Sequence, residues 1–176
     1  MFFIGYLLKV RVLSVVWAGV GVSVILFSAM YRLSAHALEF FYLPTLSVKD
    51  ILLASIWTIF MAYSEGYKGF QKGFSPRVAA RTKYLFDQPS IINSVFAPFF
   101  VMGFFNSVKK RLITVWLLTS LIFILVMVVK YIPQPWRGII DMGVVVGLAW
   151  GLLSFYYFLY LAFTQPSFNH SPEVSY

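Results

Sequence analysis

The chain has 176 residues, 60% of them hydrophobic and 11% charged, where a typical soluble domain carries roughly a quarter charged residues. A chain this short cannot bury that much apolar surface in water, so a soluble fold is excluded. Fourteen basic and 6 acidic residues give a net charge of +8; beside long apolar runs these cations read as flanks that orient membrane spans, and no nucleic-acid partner is expected. Without cysteine there is no disulfide, thiolate chemistry or Cys-ligated metal.

The pattern predicts an all-α integral membrane protein. A single domain over residues 1–163 holds a bundle of four transmembrane helices plus a re-entrant or short fifth hydrophobic segment, and a polar C-terminal tail covers 164–176. The first span is placed at 12–31. Lys9 and Arg11 precede it and Ala35-His36-Ala37 has the small residues of a cleavage site, but the run exceeds the roughly 7–15 residues of a leader core, so it reads as a retained span. Ser14 with Ala18, and Gly19 with Ser23, are small residues four apart, suited to close helix contact. Arg32, His36 and Glu39 lie in the loop expected after it.

The second span, 48–66, opens on Ser47-Val48-Lys49-Asp50, which fits a capping box. Ala54, Thr58 and Ala62, with Gly66, form a second stripe at intervals of four. A basic-aromatic loop is expected over 67–89, carrying Lys68, Lys72, Arg77, Arg81 and Lys83. Within it Ser75-Pro76 reads as a helix start, and the following turns as a helix lying on the membrane surface with Val78, Thr82 and Leu85 inward.

Segment 90–107 is interrupted by Asn93-Ser94 and Pro98 and has basic residues on both sides, the second group being Lys109, Lys110 and Arg111. Its continuous apolar part is too short to cross, so it reads as a half-inserted hairpin; a five-span bundle is the alternative. The third span, 112–131, is almost purely aliphatic and is expected to be the most lipid-exposed. A turn with Pro133 and Pro135 leads to the fourth span, 138–163, in which Gly143, Gly147 and Gly151 form GxxxGxxxG, a smooth groove for another helix. Its partner is span one, span two or a second protomer. The tail beyond is expected to be disordered.

With four spans, ten basic residues fall on one face and four on the other, which places both termini in the cytoplasm, in a bacterial inner membrane. Within the spans Glu65, Arg137 and Asp141 are the ionisable residues of interest; Asp141 stands four residues after Arg137 and Glu65 three before Lys68, spacing that also suits simple salt bridges. His36 and Glu39 share a face but make no complete metal site, and neither metal nor cofactor is expected.

The basic residues at 68–83 and 109–111 are expected to converge on an anionic lipid or ligand. These readings point to a non-catalytic accessory, scaffold or assembly subunit, packing through its glycine faces as a homo-oligomer or in a larger complex and contacting anionic lipids. A small transporter or channel using Asp141, Glu65 and the interrupted segment 93–98 is the alternative. An enzyme acting on a lipid phosphate is a weaker one, since no nucleophile and base pair is visible.

Overall fold

In the computed structural model, which describes residues 2–165 and 168–175 with side chains from residue 9 onward, helices follow one another as α1 (Phe2–Phe41), α2 (Val48–Met61), a π-helical segment (Ala62–Phe74), α3 (Ser75–Asp87), α4 (Ile91–Val95), α5 (Ala97–Met102), α6 (Lys109–Val129) and α7 (Trp136–Thr164). Three of them, Lys9–Phe41 of α1, α6 and α7, are long and apolar enough to cross a membrane.

Ser47 starts α2 as its sequence predicts: its hydroxyl accepts the Asp50 backbone N–H at 3.3 Å and its own N–H donates to the Asp50 carboxylate at 3.0 Å. The helix does not stop at residue 66. It passes through the π segment into α3 with right-handed helical backbone at both joints, giving one continuous rod from Val48 to Asp87, about 60 Å long at 1.5 Å per residue. The expected loop over 67–89 is therefore helix as far as Asp87. Ser75-Pro76 is a through position, not a start: the Ser75 N–H bonds back to Phe70 O, five residues away. Proline disrupts an α-helix by losing an N–H and pressing on the carbonyl four residues earlier; the wider π turn before Pro76 relieves the second of these.

Contacts along α7 set the directions. Trp57 and Met61 meet Gly143, Glu65 meets Gly147 and Phe70 meets Gly151, while Ser75 bonds Ser154 and Phe86 packs on Phe163. Both series rise together, so the Val48–Asp87 rod runs parallel to α7. Phe40 meets Gly138, Ser23 meets Tyr156 and Gly19 meets Leu159, so α1 runs antiparallel to it. The GxxxGxxxG groove is thus filled from within the chain, by α2 and the π segment. Ala54, buried with Phe40 and Ile139, belongs to the same contact; Thr58 and Ala62 are half-buried.

Segment 90–107 folds as two short helices broken at Phe96, with a left-handed turn at Gly103 (φ 94°). Asn106 donates to the Asn93 side chain at 2.9 Å, so the two ends of the segment meet and it forms a hairpin. Pro98 sits directly on Gly21 of α1, where a Cβ would collide with the proline ring. Ala18, Val22 and Leu26 of α1, Val78 and Leu85 of α3, Ala97, Phe100 and Val101 of α5, and Phe155 of α7 form the main core around it. Val78, Thr82 and Leu85 face inward, and α3 runs alongside α7.

The described part of the tail near Glu173 is held by contacts, where the sequence leads one to expect disorder. Val108 N–H donates to Glu173 O, Ser175 N–H donates to Asn106 O, and Val174 packs on the main core. In contrast, α6 joins no packed layer: every residue from Trp116 to Val128 is exposed, on all sides of the helix.

Candidate functional site at the basic end

Arg81 is the centre of this end. It lies on α3 one turn after Arg77, and only 3% of it is exposed. Its Nε donates to Phe100 O at 2.7 Å, Nη2 to Phe105 O at 3.0 Å and Asn106 O at 3.2 Å, and Nη1 to Pro172 O at 3.0 Å and Glu173 O at 3.4 Å. The guanidinium carbon stands 4.3 Å from the Phe100 ring centroid. One side chain therefore ties together three pieces of chain: α5, the returning arm of the hairpin and the tail. Arg81 was expected to face a ligand. Its donors are instead satisfied by backbone, because a planar fork with five N–H groups suits several carbonyls at once.

Arg77 and Arg111 flank this staple. Their charges stand close enough to repel, and Glu173 is the acid near Arg111. Arg77 is half-buried, its Nη2 lies 3.3 Å from where a Gly73 Cβ would stand, and its Nε is buried without an acceptor. Arg111 is half-buried with its Nε 3.7 Å from the Gly103 Cβ position, so the left-handed turn opens room for it. Neither forms an ion pair with a carboxylate among the described residues.

The lysines do not join them. Lys68 Nζ stands 4.9 Å from the Tyr63 ring centroid and Lys72 Nζ 4.6 Å from that of Tyr67, both on the π segment. Lys83 is half-buried on α3, and Lys109 and Lys110 are exposed on the first turn of α6. Of the eight basic residues expected to converge, the structure gathers three arginines.

Glu65 does not pair with Lys68. Its carboxylate presses on α7, where a Gly147 Cβ would fall 2.8 Å from Oε2, and that oxygen is buried without a hydrogen bond. Asp141 is 2% exposed and lies 3.7 Å from Arg137 Nε. Six residues separate Asp141 from Gly147 on α7, which turns the two carboxylates to different sides of that helix. The Arg137–Asp141 pair belongs to a polar knot at the opposite end of the bundle. There His36 Nδ1 meets Glu39 Oε2 at 3.3 Å, Gln134 Nε2 donates to the same oxygen at 3.2 Å and to His36 O, and the Gly138 N–H donates to Gln134 Oε1. Among the described residues no three His, Cys, Asp or Glu side chains are grouped to hold a metal ion.

Sequence reasoning missed Gln134, Glu173 and Gly21. Gln134 is the polar residue between two prolines, a rigid setting that suits a bridging side chain; Glu173 carries no comparable signal. Compared with protein-family models, curated proteins and solved structures, the chain matches none.

Proposed function

We propose that the protein is a non-catalytic multi-pass membrane protein, an accessory, scaffold or assembly subunit of a bacterial inner membrane. In this reading α1, the Val48–Asp87 rod, α6 and α7 cross in turn, and both termini and the basic end face the cytoplasm. The observation that supports it most is α6. A helix apolar on every side and exposed from Trp116 to Val128 is stable only in lipid or against another protein. Because the glycine groove of α7 is occupied internally, association with a partner or second copy falls to α6 and to the outer face of α1 (Val16, Val20, Val24, Phe27). Extraction from native membranes in mild detergent followed by native electrophoresis tests this. The protein is expected to migrate in an assembly larger than one chain and to crosslink through Leu121 or Phe27 replaced by a photoreactive residue. A monomer that crosslinks to nothing and shows no preference for anionic lipid would discard the reading.

The buried, unpartnered Glu65 oxygen keeps a small transporter as a second reading. Solute flux in liposomes unaffected by Glu65→Gln and Asp141→Asn would remove it.

A further inference from the structure

We propose that one anionic phospholipid occupies the gap between α6 and the rest of the bundle, its phosphate held between Arg77 and Arg111. This rests on the membrane reading above. Helix α6 is fastened at both ends and free between them. At its start Val115 is buried beside Gly103 and the Trp116 indole donates to Phe104 O at 3.3 Å. At its end Val129 is buried and Arg137 Nη1 donates to Lys130 O at 3.4 Å. The stretch from Trp116 to Val128 is about 20 Å long, enough to line an acyl chain reaching through one leaflet of a core roughly 30 Å thick.

The mouth of that gap carries the charge a headgroup needs. Arg77 and Arg111 come from different helices and repel each other, and Arg77 has a buried Nε with nothing to donate to. Arg81 adds a third positive charge beside them, and its own N–H groups are committed to carbonyls. Lys109, Lys110 and Arg111 crowd the first turn of α6, where the helix dipole already favours an anion over a cation. A phosphate diester between the two arginines would accept from both guanidinium forks and offset all of these repulsions. Acyl chains alone would suit any membrane lipid; the arginine pair selects an anionic one.

Native mass spectrometry of the detergent-solubilised protein tests this with three probes: phosphatidylglycerol, phosphatidylcholine and inorganic phosphate. The wild type is expected to retain one phosphatidylglycerol about tenfold or more tightly than phosphatidylcholine, two cations each contributing on the order of 1 kcal/mol. Arg77→Gln with Arg111→Gln should abolish that preference, whereas Lys109→Gln with Lys110→Gln should retain it. Equal binding of the two lipids by the wild type would overturn the proposal, as would a preference that persists in the arginine double variant. If that double variant fails to fold, the wild-type comparison decides alone. Inorganic phosphate that binds while phosphatidylglycerol does not would show a free-anion site and overturn it too. Loss of the lipid preference leaves migration in native electrophoresis unchanged, so the two readings fail separately.

Discussion

Gly66 of the π segment and Trp150 of α7 interlock: a Cβ on Gly66 would stand 2.9 Å from both Cβ and Cγ of the tryptophan. Trp150 is held on its other side by a 2.7 Å bond from its indole N–H to Gln71. The contact answers those beside it on the same two helices, where Gly147 and Gly151 of α7 receive Glu65 and Phe70. Glycines on both helices thus alternate with large side chains, and in a bilayer this close packing supplies what the hydrophobic effect does not. Gly66→Ala gains up to about 1 kcal/mol in helix propensity and loses roughly 1–3 kcal/mol by overpacking against an atom that cannot swing away. It is expected to lower the midpoint of thermal unfolding in detergent. Gly19→Ala, whose new Cβ would meet Leu159 at 3.9 Å, is expected to leave the midpoint unchanged or raise it.

Arg81→Ala removes a buried cation together with its five hydrogen bonds to backbone carbonyls. The expected loss is roughly 3–5 kcal/mol, concentrated locally because the hairpin and tail have few other ties. Limited proteolysis should cut near residues 103–108 and 168–175 in the variant and spare the wild type. Arg81→Lys, with three donors instead of five, should fall between them. A variant as resistant as wild type would show that the staple does not hold the tail.

The contrast between what could and could not be read from residue order follows the range of each interaction. The Ser47–Asp50 capping box is local, so three residues define it. The glycine spacing at 143, 147 and 151 marks a groove, but a smooth groove accepts many ridges and does not name its occupant. Ser75-Pro76 read as a start because proline ordinarily opens helices; the π turn that lets a helix pass through it depends on packing against α7. The backbone bonding of Arg81 is illegible for a similar reason. Arg77 and Arg81 look alike in a sequence, and backbone carbonyls brought from residues 100, 105 and 172 leave no pattern that would separate them. The tail's attachment also runs through backbone groups, which every polar tail possesses.

Asp141 and Arg137 form the pair in which a buried carboxylate depends most on one partner. Either Asp141→Asn or Arg137→Gln should destabilise the protein by roughly 1–3 kcal/mol, less than for a fully enclosed pair because Arg137 keeps a quarter of its side chain exposed. The double variant should cost less than the sum, with a coupling of about 1 kcal/mol in a double-mutant cycle read by thermal unfolding. Additive losses would mean that the two groups, 3.7 Å apart, are held independently by their surroundings.

The four-crossing layout is the most direct to check, because the chain contains no cysteine and single replacements need no background removal. Lys72→Cys and Lys110→Cys should react with a membrane-impermeant maleimide only after the cytoplasmic side is opened. Arg32→Cys and Lys49→Cys should react from outside in intact cells. The hairpin contact between Asn93 and Asn106 requires the first two to agree with each other, since a segment whose ends meet returns the chain to the side it left. Labelling of Lys72→Cys and Lys110→Cys from opposite sides would mean that residues 90–107 cross the bilayer. It would break that contact, and with it the pairing of Arg77 and Arg111 at one membrane surface.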